Sequence, residues 1–540
     1  MISGYFGAML DCSRNGVMKV SKVKEYIDLL SKFGYNALEL YTEDTFEIDG
    51  EPYFGYMRGG YTKTELKELD LYAKSKGIEL IPCVQTLAHL NSIFKWHVYN
   101  GIKDTQDILL ADDEKTYELI EKIIKTAREC FSSKNIHIGM DEAELVGFGK
   151  YFKKHGFQNR FELIKKHLQR VIEIAKTYDF SPCMWSDTFF NMASGGYFLN
   201  DYNSIPSELK NAIPNGVDLV YWNYYDATDE KYSKMLNVHK QLNDECWFAG
   251  AAWSWSNFAP FNNWSMKHLS ASLKACKKTG VKNVLICSWG DDGQECSHFA
   301  VLSTLYYAIR VYQGETKISK IKKEFYELTG ESFNAFLDLD LPNCIADNVK
   351  AKRPFGPSKY GFYSDLLNGF FDLYTPDGSG KLYKKYAYKL KKHAKNSKNY
   401  KYIFESESAL CDFLSVKFEL GKRLRKAYKE SNFNELELIY KDVRKAEIKL
   451  CKFEKTLKAR WDEDFNPHGY DVLDIRIGAL KQRLKSAKEK VRDFLDKKVS
   501  SIPELEQENL PLNDWNDQLL GLLKWKEIVT VNVISHNIFN

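Results

Sequence analysis

The sequence predicts an α/β protein, a (β/α)8 barrel followed by a mostly α-helical C-terminal domain, and three observations predict it. Over about the first 310 residues, eight short apolar runs alternate with amphipathic stretches, the pattern of βα units on a parallel sheet. From about Lys317 onward that strand periodicity is lost. Two long stretches nearer the C-terminus then carry apolar residues in steps of three and four. A chain of 540 residues exceeds what one core usually organises, so a barrel domain over 1–315 and a helical domain over 316–540 are expected.

The strand candidates are 4–10, 37–41, 79–84, 135–140, 181–185, 217–222, 246–252 and 283–289. Helix candidates between them include 20–33, 63–76, 114–130, 161–178 and 265–279, each with an apolar stripe. Eight such repeats fit a closed barrel, whose chemistry belongs at the carboxyl ends of the strands. In the C-terminal part, Leu436, Ile439, Val443, Ala446, Leu450, Phe453 and Leu457 form one seam, and Leu473, Ile477, Leu480, Leu484, Ala487, Val491 and Phe494 another. The two predict an antiparallel hairpin over about 434–498. Its turn, Arg460-Trp461-Asp462-Glu463-Asp464-Phe465-Asn466-Pro467-His468-Gly469, is richer in aromatic and charged groups than a connector needs. Asn-Pro-His-Gly is turn chemistry, but exposing Trp461 has no structural reason. The turn is therefore expected at a barrel mouth, either this chain's own or that of a second subunit in a homodimer. A last strand is expected over 528–534.

Composition narrows the classes. The 77 basic and 73 acidic residues leave a net charge of +4, which does not imply nucleic acid. No run of eighteen or more apolar residues suggests a membrane span. Eleven cysteines, scattered through apparent strands and helices without C-x-x-C or zinc spacing, fit reduced thiols in a cytoplasm. The first residues lack the basic, apolar and small-residue pattern of a secretory leader, so none is expected, nor a domain ahead of the barrel.

The strongest candidate site is His137-Ile138-Gly139-Met140-Asp141-Glu142, an apolar run emptying two carboxylates at a strand end. Gly139 permits close approach of backbone or substrate there. An isolated Asp-Glu pair is ordinarily a solvated helix start, and the flanking His and Gly argue otherwise. This H-x-G-x-D-E pattern resembles the signature of glycoside hydrolase family 20, the β-N-acetylhexosaminidases. The likeness extends in order through Gly7-Ala8-Met9-Leu10-Asp11-Cys12-Ser13-Arg14, Trp185-Ser186-Asp187, Tyr221-Trp222-Asn223-Tyr224-Tyr225 and Ser288-Trp289-Gly290-Asp291-Asp292-Gly293-Gln294-Glu295.

That resemblance implies an exo-acting, retaining enzyme that releases terminal β-linked GlcNAc or GalNAc from oligosaccharides without metal or organic cofactor. The substrate's own acetamido oxygen would attack the anomeric carbon, giving an oxazolinium intermediate. Glu142 would be the general acid and then base, and Asp141 would accept the acetamido N–H. Tyr224 would bond the acetamide oxygen, with Tyr225 an alternative. Trp185, Trp222 and Trp289, with Trp253 and Trp255 as further candidates, would wall the sugar. Arg14 would take the 3- and 4-hydroxyls, anchored by Asp11. In the family's W-x-E pattern the acid accepts the 4- and 6-hydroxyls. Here Asp291 stands at that place, one methylene shorter, so either Asp291 reaches or Glu295 takes the role. His89 and His137 resemble supporting histidines and are equally readable as structural ones, while Glu43 and Asp44 are further acids at the mouth. Two rival classes are a carbohydrate-binding or regulatory barrel without turnover and a metal-dependent hydrolase. The latter would want an H-x-H at the first strand, which Leu10 to Arg14 lacks.

Overall fold

The computed structural model describes residues 4–199, 204–243, 245–345, 356–511 and Trp525. Eight parallel strands close a barrel in sequence order: β1 (Phe6–Asp11), β2 (Ala37–Tyr41), β3 (Glu79–Cys83), β4 (Asn135–His137), β5 (Ser181–Trp185), β6 (Asp218–Trp222), β7 (Cys246–Ala251) and β8 (Asn283–Ser288). Closure is made by β1 on β8, with Ala8 opposite Ile286 and Leu10 opposite Ser288. The two-residue alternation of the strands divides the apolar core. Ala8, Leu10, Leu38 and Leu40 face the surrounding helices, while Met9, Ile81, Val220, Ala249 and Leu285 fill the barrel. Two polar side chains, Glu39 and His137, are buried along with them.

The helices start and stop where their ends are chemically satisfied. Thr62 and Glu65 form a reciprocal capping box on Lys63–Ser75, and Asn159 caps Arg160–Thr177. Strand β4 is shorter than the expected 135–140, because the backbone turns left-handed at Gly139 and Met140 and leaves the sheet after His137.

Beyond the barrel the described residues are helical. Phe433–Asp464 and Tyr470–Leu495 pack together, with all seven positions of the first seam buried and the second buried through Val491. Lys481 pairs with Glu454, Lys488 with Glu447 and Arg492 with Glu437, an antiparallel ladder along the hairpin. The hairpin does not stand alone, since Phe433–Asp464 also packs on Lys401–Lys417. The expected tail strand at 528–534 lies outside the described residues. No helix among the described residues is long and apolar enough to cross a membrane.

The turn of the hairpin sits on this chain's own barrel. Met18 bridges to Phe465, the Asn466 N–H donates to Val17 O at 2.8 Å, and Asn466 Nδ2 donates to Gly59 O at 2.8 Å. Of the two mouths expected, the turn takes this chain's own. Exposure of Trp461 is corrected: its side chain is 1% exposed, its Nε1 donates to Asn466 O at 2.8 Å, and its ring meets Phe465 and Tyr470. Trp461→Ala should cost about 3–5 kcal/mol in urea unfolding, as large-to-small core changes do; a loss below about 1 kcal/mol would mean that the ring packs loosely.

Candidate active site

The loop after β4 is built by its backbone before any side chain acts. Gly139 and Met140 both have φ near +71° and Glu142 has φ +51°. A Cβ on Gly139 would lie 2.1 Å from Gln85 Oε1, so no other residue fits without displacement. Hydrogen bonds fix the turn: the Gly139 N–H to His137 Nδ1 (3.1 Å), the Met140 N–H to Gln85 Oε1 (3.1 Å), the Glu142 N–H to Asp187 Oδ2 (2.9 Å), and Thr188 Oγ1 to Met140 O (2.7 Å). Adjacent residues thereby part. Asp141 is buried, and the Glu142 side chain stays 43% exposed.

Both oxygens of Asp141 are engaged. Gln85 Nε2 donates to Oδ1 at 2.7 Å, and His89 Nε2 lies 3.1 Å from Oδ2. The same His89 nitrogen is 3.7 Å from Glu142 Oε2, so one ring sits between the two acids. Burial opposes a charge on His89, but the Asp141 carboxylate more than offsets it and pushes the ring up to about 10. Burial works against Asp141 as well, yet His89, Gln85 and Arg14 hold its carboxyl well below the usual range. Tyr197 donates to Glu142 Oε1 at 2.9 Å. Burial, then the charges of Asp141 and Glu142, push Asp187 well above an ordinary carboxyl.

Arg14 faces this pair from the loop after β1. Its guanidinium lies 3.3 Å from Asp11, 3.1 Å from Glu43 and 3.3 Å from Asp291, and 5.0 Å from the ring centres of both Tyr41 and Trp289. Asp11 is an anchor: it also accepts the Gly290 N–H at 2.9 Å, tying the β8 loop to β1. Tyr41 donates to Glu43 at 2.9 Å and accepts from Gln85, linking the arginine side to the acid pair.

Aromatic side chains form the rest of the enclosure. Trp185 is buried between His137 and Trp289, with ring centres 4.4 and 5.9 Å away. Trp289 Nε1 donates to the Tyr224 hydroxyl at 3.0 Å, and Tyr224 stacks on half-buried Trp222 at 5.2 Å. Trp253 is fully buried behind Trp255, stacked at 3.8 Å, so it backs the wall that Trp255 presents to Tyr224. The structure thus brings together Asp11, Arg14, His89, Asp141, Glu142, Trp185, Trp222, Tyr224, Trp289 and Asp291.

Glu295 is not among them. It is 2% exposed and turned toward the C-terminal helices, where Lys359, Arg476 (3.2 Å) and Tyr363 (3.1 Å) hold its carboxylate. Of the two acids offered for the sugar hydroxyls, Asp291 is the one beside Arg14. Burial, opposed by Arg14, pushes Asp291 up to about 7. The sequence reading missed Gln85, Tyr41, Tyr197 and Asp187. Asp187 lay inside the quoted Trp-Ser-Asp run, whereas a lone Gln, or a Tyr far along a loop, carries no sequence signal.

His137 lies beneath the acid pair inside the barrel. Glu39, Cys83 and His137 each offer one ligand-type atom within 4.8 Å of the others, the set among the described residues that could hold a metal. Its donors are ill prepared for one. His137 Nδ1 accepts from Gly139, so in the neutral ring Nε2 carries the hydrogen and has no lone pair to give. Burial pushes His137 down to about 3 and Glu39 up to about 8, so near neutrality both are uncharged.

Hydroxyl-pairing charges on one side and stacked indoles on the other suit a ring with polar edges and apolar faces, which defines a barrel of the glycosidase class. Residues 4–295 match the catalytic domain of glycosyl hydrolase family 20, and residues 334–523 match the glycoside hydrolase 20C C-terminal domain. The chain belongs to glycoside hydrolase family 20. Among its relatives, Hexosaminidase D of Bos taurus is 24% identical over 312 residues, covering 53% of this chain and 84% of that one. The β-hexosaminidase subunit beta of Entamoeba histolytica is 23% identical over 332 residues, covering 54% of this chain and 56% of its own length. A solved exo-β-N-acetylglucosaminidase of this family from Vibrio harveyi, in complex with N-acetylglucosamine, superposes with a TM-score of 0.45 at 14% identity, over 60% of this chain and 58% of that one.

Glu39 provides a test of the buried layer. Its pKa is raised on folding, so the stability that it lends is full below about 4.5 and lost as pH rises through about 8. Thermal melts from pH 5 to pH 8.5 should show wild type losing stability relative to Glu39→Gln, which lacks that titration. Parallel pH dependences for the two proteins would mean that Glu39 stays ionised in the fold.

Proposed function

We propose that the chain is an exo-acting, retaining β-N-acetylhexosaminidase that removes terminal non-reducing β-linked GlcNAc or GalNAc by substrate-assisted catalysis. The observation that carries this reading is the state of Asp141. A carboxylate buried, bonded by Gln85 and 3.1 Å from His89 is held and charge-compensated, a poor nucleophile and a good fixed anion. With Glu142 next in sequence and half-exposed toward the leaving group, the protein offers an acid but no second free carboxylate at its side. Retaining glycosidases that use two carboxyl groups need a nucleophile of their own. Here the substrate's 2-acetamido oxygen fills that role.

In this reading Asp141 accepts the acetamido N–H, holding the oxygen in line and opposing the positive charge of the oxazolinium as it forms. An intramolecular nucleophile so held reaches an effective molarity on the order of 10⁵ M or more. Glu142 protonates the leaving oxygen and then takes a proton from the attacking water. Trp185, Trp222, Tyr224 and Trp289 enclose the acetamido methyl and the ring face, while Arg14 and Asp291 bind the hydroxyls at the far edge. The hexosaminidase names of the relatives support the substrate class. All eleven cysteines are unpaired thiols, which suits a cytoplasmic enzyme acting on imported oligosaccharides.

The test is nitrophenol release from β-linked 4-nitrophenyl glycosides of GlcNAc, GalNAc, glucosamine and glucose. Turnover should be confined to the two N-acetylated sugars and should fall at least about 10²-fold in Glu142→Gln and in Asp141→Asn. Equal hydrolysis of the glucoside would remove substrate assistance, and binding of GlcNAc without turnover of any glycoside would make the chain a carbohydrate-binding protein.

A further inference from the structure

The loop after β8 carries Asp291 and then three consecutive residues in the left-handed region: Asp292 (φ +69°), Gly293 (φ +115°) and Gln294 (φ +57°). Non-glycine residues occupy that region only where surroundings over-determine them. What surrounds this loop comes largely from the C-terminal helices. Arg476, on Tyr470–Leu495, donates through Nη1 to Asp292 O and lies 3.2 Å from Glu295. Lys359, on Pro357–Tyr363, pairs with Glu295 and lies 3.6 Å from Asp292. Arg460 donates to Glu295 O, and Trp525 Nε1 donates to Asp292 Oδ2 at 2.8 Å. Asn15 Nδ2 bonds both Gly293 O (3.1 Å) and Gly469 O (2.7 Å), joining the loop to the hairpin turn.

These contacts are buried: Asp292, Glu295, Lys359 and Arg476 are all at most 3% exposed. Two acids meet two bases, so the set is balanced, and removing one member would leave a buried charge uncompensated. Gly293 shows how tightly it is fitted, since a Cβ there would come within 2.9 Å of Arg476 Nη1.

We infer that Arg476 is a positioning residue for Asp291: the C-terminal helices hold the β8 loop in the strained form that sets Asp291 beside Arg14, and so fix recognition of the sugar's hydroxyl edge. The inference rests on the reading of Asp291 as a sugar contact. The hairpin then belongs to the substrate site although it touches no substrate, and the barrel alone would present Asp291 imperfectly.

Full-length Arg476→Met and Arg476→Lys are compared with wild type by kinetics on the 4-nitrophenyl glycoside of GlcNAc, by calorimetric binding of GlcNAc, and by hydrogen exchange. In Arg476→Met, KM and the GlcNAc Kd should rise about 10-fold or more, the worth of a charged hydrogen bond, with kcat within about 3-fold. Amide exchange should quicken over 289–297 and stay unchanged over 138–143. Arg476→Lys, which keeps the charge, should recover much of the binding. Should Arg476→Met fail to fold, Gly293→Ala attacks the same contact from the loop side and should show the same KM rise. Unchanged exchange over 289–297, or faster exchange with KM and Kd unmoved, or a loss confined to kcat, would overturn the inference. A wild type that neither binds nor turns over the sugar would instead sink the functional reading, with the exchange data still deciding whether Arg476 holds the loop.

Discussion

The site depends on how two cations are divided among more carboxyl groups than they can neutralise. Arg14 sits among Asp11, Glu43 and Asp291, and His89 sits between Asp141 and Glu142. A buried charge without a full partner is expensive, so acids that the cations serve poorly hold their protons more tightly. Asp187 and Asp291 are pushed up by burial, and Asp141 alone of the three is drawn well below the usual range. Of these three, Asp141 is therefore the one held firmly as an oriented carboxylate. A reaction that develops positive charge at a sugar carbon gains most from an anion that need not reorganise.

The barrel was legible because its signal is redundant. Each inward-facing strand and its amphipathic partner repeat the same alternation, so an error in one unit does not spoil the others. Ends were less legible. Strand β4 stops at His137 because Gly139 and Met140 turn left-handed, and no apolar count reveals φ. The positions that a motif fixes, Arg14, Asp141 and Glu142, fell close together. Gln85 and Tyr41 did not declare themselves, since their importance lies in hydrogen bonds across strands that a linear pattern cannot show.

Glu295 and Trp461 misled for related reasons. Glu295 follows Asp291 by four positions, and in a regular element such spacing would constrain their directions. Three left-handed residues intervene, and they turn one acid to the mouth and the other to the helices. At Trp461, a turn that begins at Arg460 would leave the ring exposed. The helix continues through Asp464, so the ring is still on a helical face and packs inward with Leu457 and the rest of the seam. Aromatic richness there signals a docking of the hairpin onto the barrel loops, a contact that sequence periodicity cannot assign to a partner.

Neutral His137 is a condition of the geometry above it. Its Nδ1 accepts the Gly139 N–H, the first bond of the turn that separates Asp141 from Glu142. A proton on that nitrogen would set donor against donor and release the glycine. Burial, which pushes the ring down to about 3, preserves the acceptor across the acid range in which carboxylic acids exchange protons. His89, a few ångströms from the same acids, is driven the opposite way because Asp141 faces it directly. Two histidines near one acid pair thus hold opposite protonation states at the same pH. The difference follows from position: His89 lies 3.1 Å from a carboxylate at the mouth, and His137 is enclosed by Trp185 and the buried barrel layer beneath.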